Sequence, residues 1–499
     1  MIDFPGLLSL IIWLPVIAAI LLFIFPIKDQ NIRLIVLAVT VIDALLALMI
    51  FVGFDKQAPF GSFQWTDKLM WIDTSLLQSQ YYVGVDGLSA PMVLLTSILG
   101  VCAVIASWNI KTRVREYFIW LLILQTAILG VFTSLDLLLF FVFWELELIP
   151  MFMLISGWGS GRKDYSSMKF LIFTILGGAF ILIGILMTFF TADPHTLDIT
   201  LLLSNAGGNL IQLGFYGASF VYLCFFLGFA IKLPVWPLHT WLPDAHTDAP
   251  TAASIILAGV MLKMGGYGLI RINVSLFPLQ TVAYSYAIVL LGVISVLYGA
   301  IMTLKQTDLK RLIAYSSVSH MGLVLIGIGS FSSSGLTGAS MQLFTHGTIT
   351  GLLFLCVGII YDKSHTRSIP ELGGLFVKMP LVAVAFTIGG LASLGLPALS
   401  GFVAEILVFS GAFISFPVMT VLSVLGIILA AGYILWMIER ILFGSIKPAV
   451  QYVSDASILE AVPIAILVVL IVGLGIFPSL LIDVLDQAIL PIITNFGGN

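Results

Sequence analysis

Apolar stretches of roughly twenty residues, separated by short polar connections, recur along the chain, and a helix needs about 20 apolar residues to cross a hydrocarbon core of about 30 Å. We therefore predict about fourteen transmembrane helices. The predicted helices cover residues 4–26, 31–53, 84–108, 115–133, 137–157, 167–191, 216–247, 250–272, 280–303, 312–329, 337–360, 380–412, 418–440 and 459–483.

Two of these stretches are interrupted by proline. The stretch 216–247 breaks at Pro234 and Pro237, and the stretch 380–412 breaks at Pro397. The two breaks lie five helices apart, and a repeated unit with an odd number of helices must insert in opposite senses. We therefore predict two inverted five-helix repeats, helices 4–8 and 9–13, each with one broken helix, as in many transporters.

The predicted fold is that of an all-α polytopic membrane protein with a single membrane domain. Its parts are N-terminal helices in 1–110, a first repeat in 115–272, a second repeat in 280–440 and a C-terminal helix in 459–499. The N-terminus, MIDFPGLLSL, has no basic segment, so we expect the first helix to be retained and not to be a cleaved signal.

The amino-acid composition is also typical of an integral membrane protein. Of 499 residues, 60% are hydrophobic and only 9% are charged, with a mean hydropathy of +1.14; a soluble protein cannot bury that much apolar surface. No basic patch accompanies the net charge of −4, so we expect no nucleic-acid partner. Cys102, Cys224 and Cys356 lie in apolar spans without ligand spacing, which argues against a disulfide framework or a metal cluster.

Lysine and arginine predict the orientation. Sixteen of them lie in connections that follow odd-numbered helices, whereas Lys56, Lys68 and Arg271 lie on the opposite side. Because positive charge accumulates on the cytoplasmic side, odd connections should face the cytoplasm or its organellar equivalent. Only Lys232 and Lys263 belong to neither surface.

Lys232 directly precedes the first break. Pro234 has no N–H to donate to the carbonyl of Ala230, and Pro237 has none to donate to the carbonyl of Leu233. Such carbonyls survive at membrane depth only against protein or a water-filled cavity. A titratable lysine beside a hydrated break is one interpretation, and a lysine that reaches to the interface from a helix end is the other.

Lys263 and Glu145 lie deeper in their spans. Apolar residues flank Lys263 on both sides, and a lysine at that depth needs a partner or water, which makes it a candidate proton carrier. Glu145 needs a nearby cation, for which Lys232 is the predicted partner. Glu147 lies about 200° around the same helix, so we assign it a weaker role facing a neighbouring subunit or lipid.

Three further groups complete the titratable set. Glu405 follows the second break by two turns, as an acidic site of the second half, and His320 and His346 lie on polar helix faces. A structural hydrogen-bonding role is the alternative for either histidine. With no nucleotide-binding, haem-type or cysteine-cluster motif in the sequence, this set predicts movement of protons or another cation, driven by energy from elsewhere.

Several motifs resemble the proton-translocating membrane subunits of respiratory complex I, which are homologous to Mrp-type antiporter subunits. The matching segments, between about residues 81 and 440, are YVGVDGLSAPMVLL, FFVFWELELIPMFMLISGWG, AIKLPVWPLHTWLPDAHTDAPTAASIILAGVMLKMGGYGLIR, KQTDLKRLIAYSSVSHMGLVLIG, QLFTHGTITGLLFLCVGIIYD and LASLGLPALSGFVAE. The acidic residue Glu405 in the second broken helix favours the subunit 4 type over its sister subunits.

The resemblance implies a role for each titratable residue. Glu145 and Lys232 would form a coupled ion pair, and Lys263 would be the central lysine of the proton path. His320 and His346 would lie on a hydrated axis, and Glu405 would be the terminal acid.

WELELIP resembles the cyanobacterial and plastid branch most. That implies a photosynthetic complex in thylakoid membranes, with electrons from ferredoxin or NAD(P)H passing to plastoquinone; a CO2-uptake variant stays open. Quinone and iron–sulfur clusters would belong to other subunits, and this chain would hold no cofactor or metal. Expected partners are sister antiporter-like subunits, a peripheral electron-transfer arm, lipids and, for the CO2-uptake variant, a carbonic-anhydrase-like subunit.

Two other function classes stay open. The chain could belong to an Mrp-type antiporter that exchanges Na+ or K+ for protons without redox chemistry, or it could be a scaffold that anchors partners in the membrane.

Overall fold

The computed structural model describes residues 6–74, 77–204 and 213–494. The N-terminal half contains α1 (Leu7–Ile24), α2 (Asp29–Val52), β1 (Gln64–Asp73), β2 (Gln78–Val85), α3 (Ser89–Ala106), α4 (Val114–Thr133), α5 (Leu137–Leu146), α6 (Leu148–Trp158), α7 (Lys163–Thr191), α8 (Ile199–Ser204), α9 (Gly214–Lys232), α10 (Trp241–Asp248), α11 (Thr251–Ile256) and α12 (Leu262–Gly268). The C-terminal half contains α13 (Pro278–Ala283), α14 (Ser285–Leu304), α15 (Leu309–Gly329), α16 (Ser333–Ser364), α17 (Leu375–Lys378), α18 (Pro380–Ser393), α19 (Ser400–Ser415), α20 (Pro417–Leu442), α21 (Ile458–Ile476) and α22 (Ser479–Thr494).

The predicted number of crossings is close to what the described residues contain. Thirteen helices are long and apolar enough to cross a membrane, and α18 and α19 are two shorter apolar helices separated by the second break. Together these two shorter helices occupy the predicted interrupted span 380–412. Both interrupted helices are thus present, and the inverted relation of the two repeats stays a prediction.

Three helices form the centre of the bundle. The helix Thr251–Val274, α15 and α16 are buried over their whole apolar windows, whereas α2 and α21 are only 28% buried. The outer helices expose isoleucine, leucine and phenylalanine side chains, as expected of a surface whose solvent is hydrocarbon. The predicted proton carriers Lys263, His320 and His346 all lie on the three central helices.

The central helix Thr251–Val274 is not a regular α-helix. Its α-helical parts α11 and α12 alternate with π-helical stretches at Leu257–Met261 and Leu269–Val274. π-helical turns are rare and are frequently found at functional sites. Lys263 lies directly after the first of these stretches.

An antiparallel hairpin, which the sequence pattern did not predict, occupies the connection between α2 and α3. Strands β1 and β2 pair with Lys68 opposite Tyr82, with irregularities near each end. The hairpin is tied to the bundle by Asp136, which precedes α5 and accepts hydrogen bonds from Ser79 Oγ (2.9 Å) and the Gln80 N–H (3.0 Å). The hairpin therefore lies on the side of the membrane domain that is poor in lysine and arginine.

The C-terminal segment differs from its prediction. The predicted span 459–483 ends at Ile476 as α21, and α22 begins at Ser479 after Pro478, whose ring cannot continue the preceding helix. At the other terminus, residues 1–5, which contribute to the expectation of a retained first helix, lie outside the described residues.

Candidate functional site

The first helix break lies directly after Lys232, the last residue of α9. Pro234 cannot donate to the Ala230 carbonyl, and the Val235 N–H donates to it instead (3.0 Å). The carbonyl of Ile231 accepts from the indole N–H of Trp241 (3.0 Å). The protein itself therefore satisfies these two carbonyls near the chain break.

Lys232 is fully buried and forms an ion pair with Glu147. The predicted partner was Glu145, and the structure corrects this pairing: among the described residues, Lys232 has no ion pair with Glu145. Between α5, which ends at Leu146, and α6, which begins at Leu148, Glu147 keeps right-handed helical backbone angles (φ −68°, ψ −22°). Pro150 lacks the N–H that would bond to the Leu146 carbonyl, which explains the irregular turn.

Glu145 occupies a different environment from Glu147. Its side chain is partly exposed, and one carboxylate oxygen has no hydrogen-bond partner among the described residues. The carboxylate lies against Gly178 of α7, at a place where any side chain would collide with it. Glu145 nevertheless lies within electrostatic range of Lys232. Two carboxylates therefore lie near one ammonium, with Glu147 in direct contact.

Lys263 lies at the centre of the bundle with no exposed surface. Its Nζ donates to the carbonyl of Ala258, in the π-helical stretch of its own helix, and lies 2.7 Å from Nδ1 of His346. The amine and the imidazole are thus in direct hydrogen-bond contact on two central helices. Either group can hold a proton at near-neutral pH when its surroundings favour this.

The contact continues from His346 into the second half. The rings of His346 and His320 are 5.4 Å apart between centroids. His320 Nδ1 lies 3.7 Å from Glu405 Oε1, and its Nε2 lies 3.0 Å from the Ser393 hydroxyl. Lys263, His346, His320 and Glu405 therefore form one continuous row of ionisable side chains, each buried.

Glu405 is held close to the second break. Gly395 has a φ of +75°, a left-handed conformation that glycine adopts without strain. The Glu405 carboxylate occupies the space where a side chain at this position would project. The break at Pro397 thus leaves room for the acid, in agreement with the predicted association of an acidic group with this break.

The structure separates the predicted residues into two groups. Lys232 and Glu145 lie at the first break, whereas Lys263, His346, His320 and Glu405 form the central row. No hydrogen bond or ion pair in the described part of the chain joins Lys232 to Lys263. The packing of α9 on α12 brings their helices together, because Gly265 contacts the backbone at Leu233.

Sequence reasoning missed four buried polar groups. Asp43 accepts from Gln125 Nε2 (2.6 Å) and Ser97 Oγ (3.0 Å), and Arg271 pairs with Asp86 (2.5 Å). His246 and Lys310 are also buried. The signal for His246 was present in the motif PDAHTDAP, but depth within the bundle cannot be read from hydropathy alone.

The described residues also bear on metal binding. Within residues 6–74, 77–204 and 213–494, no group of three or more His, Cys, Asp and Glu side chains is arranged to hold a metal ion. The three cysteines are free thiols and buried.

A family model described as "NADH:quinone oxidoreductase/Mrp antiporter, TM" matches residues 134–430. The chain is 39% identical to NADH-quinone oxidoreductase subunit M of Rhodobacter capsulatus, over 98% of this chain and 97% of that protein. It is 40% identical to the chloroplastic NAD(P)H-quinone oxidoreductase chain 4 of Chaetosphaeridium globosum, over 96% of this chain and 95% of that protein.

Two solved structures have the same fold. A chain of respiratory complex I from Thermus thermophilus superimposes with a TM-score of 0.87 at 27% identity, covering 98% of this chain and 100% of that one. A chain of the Mrp complex from Dietzia sp. has a TM-score of 0.84 at 22% identity, covering 98% of this chain and 97% of that one. The likeness to the Mrp chain supports the fold alone.

Proposed function

The chain belongs to the NADH:quinone oxidoreductase/Mrp antiporter family of membrane subunits, and from this premise we propose how it moves protons. It is a proton-translocating, antiporter-like subunit of a complex I-type NADH or NAD(P)H–quinone oxidoreductase. Lys263, His346, His320 and Glu405 carry the proton through the bundle, and the Lys232 ion pair controls its movement by electrostatics.

The observation that supports this proposal best is the continuous row from Lys263 to Glu405. Each group lies in contact with the next or one short step away, with 2.7 Å between Lys263 and His346 and 3.7 Å between His320 and Glu405. Burial of ionisable groups at membrane depth is expensive, and such groups characteristically mark proton relays. A scaffold would need none of them.

Replacement of Lys263 by methionine tests the proposal. The variant keeps the length and packing of the side chain but cannot hold a proton, so the assembled complex in sealed vesicles should translocate fewer protons per electron pair. Lys305→Met, at an exposed lysine, is the control and should leave that ratio unchanged. An unchanged ratio in a fully assembled Lys263→Met complex would support the scaffold instead.

We further propose that the complex is of the photosynthetic type, in a cyanobacterial or plastid thylakoid membrane. It would then take electrons from ferredoxin or NAD(P)H and reduce plastoquinone, with quinone and iron–sulfur clusters bound by other subunits. The acidic motif WELELIP supports this branch. The test is to measure quinone reduction by the purified complex with ferredoxin and with NADH as electron donors. If the complex reduces ubiquinone or menaquinone with NADH and does not respond to ferredoxin, it is of the respiratory type instead.

The same purification identifies the partners. Sister antiporter-like subunits and a peripheral electron-transfer arm should co-purify with this chain. A carbonic-anhydrase-like subunit would assign the CO2-uptake variant, whereas small antiporter subunits without redox partners would assign an Mrp-type exchanger. In that last case, proton movement in vesicles would require Na+ or K+ and no quinone.

A further inference from the structure

A basic cavity of about 470 Å³ lies where several membrane-spanning helices end, on the side that is rich in lysine and arginine. Its wall includes Lys111 from the connection between α3 and α4, Lys310 from the first turn of α15, and Arg367 from the segment after α16. Among the described residues that line it, Asp362 is the only carboxylate. The wall therefore carries more positive than negative charge.

Lys310 is the buried cation of this wall. Only 2% of its surface is exposed, and its Nζ donates to the carbonyl of Ala249 (2.6 Å). An ammonium group has three N–H donors, and in the described part of the chain this one forms no ion pair with a carboxylate. A buried ammonium without a counter-charge is unfavourable. An anion in the cavity would supply that counter-charge.

The other two cations are held in different ways. Arg367 pairs with Asp308 (3.4 Å) and donates to the carbonyl of Thr247 (2.5 Å), so its position is fixed by the protein. Lys111 is exposed and, within residues 6–74, 77–204 and 213–494, has no ion-pair partner. The basic cavity thus has two ammonium groups available to a ligand.

A second cavity, of about 70 Å³, adjoins the basic one and is lined largely by apolar side chains. The two cavities share the wall residues Ala106, Asn109, Thr251 and Asp362. The apolar wall includes one side chain from each of α3, α16 and α21, namely Ile105, Leu355 and Leu459. Glu460 of the same wall is already paired with Lys363 (3.1 Å). One cleft therefore changes from basic to apolar between membrane helices.

Two tryptophans indicate the depth of this cleft in the membrane. Trp158 lines the basic cavity and Trp108 lines the apolar one. Tryptophan is enriched where lipid headgroups meet the hydrocarbon. The cleft therefore lies at the level of the headgroups.

We propose that this cleft binds one anionic phospholipid, with its phosphodiester against Lys310 and Lys111 and its first acyl methylene groups in the apolar cavity. Basic pockets between membrane helices on the cytoplasmic side are suited to anionic headgroups. Inorganic phosphate could pair with the same cations, but it would leave the apolar extension of the cleft without a role. The proposal goes beyond proton translocation and does not depend on it.

Photo-labelling of the assembled complex tests the site. The complex is placed in phosphatidylcholine vesicles that contain a small fraction of phosphatidylglycerol with a photoactivatable group near the start of one acyl chain. Mass spectrometry should locate the cross-links in the segments around Ile105, Leu355 and Leu459. Phosphatidylcholine with the same photoactivatable group should not concentrate there.

Substitutions in the basic cavity measure the contribution of charge. Lys310→Met and Lys111→Met should each raise about fivefold the fraction of phosphatidylglycerol needed for half-maximal labelling, as expected for the loss of one basic contact to an anionic lipid. Lys310→Arg keeps the charge and should stay close to the wild type. If Lys310→Met does not assemble, the exposed Lys111→Met gives the measurement.

Lys305→Met is the matched control. Lys305 precedes α15 on the same side of the membrane, is exposed and does not line the cavity. This variant should label as the wild type does. An equal loss of labelling in Lys305→Met would show a general attraction to anionic lipid and overturn the site.

The remaining outcomes decide the class of ligand. Equal labelling of these segments by phosphatidylcholine would overturn an anionic lipid, and so would wild-type labelling in both lysine-to-methionine variants. Loss of the label in the presence of inorganic phosphate, but not of an equal concentration of chloride, would assign the cations to free phosphate instead. Proton translocation does not enter the measurement, so its result is independent of the outcome for Lys263→Met.

Discussion

At the scale of single residues, the ionisable groups of the site are arranged in pairs. Lys232 contacts Glu147, Lys263 contacts His346, and His320 approaches Glu405. An isolated charge at membrane depth is strongly unfavourable, whereas a partner of opposite charge or a shared proton offsets much of that penalty. Each pair can therefore exchange a proton or a charge without exposing either member to lipid.

Glu147 and Glu145 provide a direct comparison at this scale. Glu147→Gln should impair proton translocation more than Glu145→Gln, because it leaves the buried Lys232 ammonium without its contact carboxylate. Removing one partner of a buried ion pair costs roughly 3–5 kcal/mol, because it leaves an uncompensated buried charge. Proton-to-electron ratios and thermal unfolding of the complex measure both effects. A larger loss in Glu145→Gln would restore the pairing predicted from sequence.

At the scale of helices, the site depends on departures from regular structure. The π-helical stretch Leu257–Met261 lies just before Lys263, the turn between α5 and α6 places Glu147, and the breaks follow Lys232 and precede Glu405. Regular helices would direct these side chains according to a fixed rotation of about 100° per residue. The π-helical stretch and the two breaks lie next to Lys263, Lys232 and Glu405, so the site forms at irregular points of the helices.

Close packing of α12 on α9 yields a test at this scale. A methyl group at Gly265 would lie 2.6 Å from the Leu233 nitrogen, a backbone atom that cannot rotate away. Gly265→Ala should destabilise the subunit by about 1–3 kcal/mol and weaken coupling, because it separates the Lys263 helix from the Lys232 helix.

Gly432→Ala is the control for this change. Gly432 lies in the membrane-spanning helix α20 with nothing near its missing side chain, so alanine should be neutral or slightly stabilising. Thermal unfolding and the proton-to-electron ratio of the two variants give the comparison. Equal stability of both variants would show that the α9–α12 contact is not tight.

At the scale of the whole molecule, the two surfaces of the membrane domain differ. The cavity of about 470 Å³, lined by Lys111, Lys310 and Arg367, opens on the side that is rich in lysine and arginine, while the hairpin β1–β2 lies on the other side. Hydrogen bonds join the hairpin to α1 through Asp67 and to the turn before α5 through Asp136. The hairpin thereby fixes elements that the membrane alone would leave free to shift.

Asp136 provides the test at this scale. It accepts from the hairpin and from the N–H groups of Leu138 and Leu139, so Asp136→Ala should lower the stability by roughly 2 kcal/mol or more. Asp73→Ala, at an exposed acid of β1, is the control. Thermal unfolding and protease cleavage within the hairpin measure the difference, and equal values for both variants would contradict the role of Asp136.

The same residue predicts a pH dependence. Burial raises the pKa of Asp136 above its ordinary value, despite the hydrogen bonds that lower it. The folded state then binds the proton more tightly than the unfolded state, so the contribution of this group is greatest below the ordinary carboxyl pKa. It declines as the pH rises through the raised folded pKa, and Asp136→Asn should remove this part of the pH profile.

The sequence by itself determined the class of the protein and the approximate position of its helices. Hydropathy locates membrane spans because lipid requires every spanning segment to be apolar and internally hydrogen-bonded. Proline marked both breaks because it has no N–H to donate within a helix. Charged residues are rare within the predicted spans, and this singled out Lys232, Lys263 and Glu405. Each of these inferences uses local information only.

Only the tertiary structure decided which side chains meet. That Glu147 and not Glu145 contacts Lys232 cannot be read from the helix by itself, because the two carboxylates differ only in the face of the helix that they occupy. The row from Lys263 to Glu405 joins residues that are far apart in the chain. Such contacts depend on how helices pack against one another, and packing is set by the shapes of all the helices together.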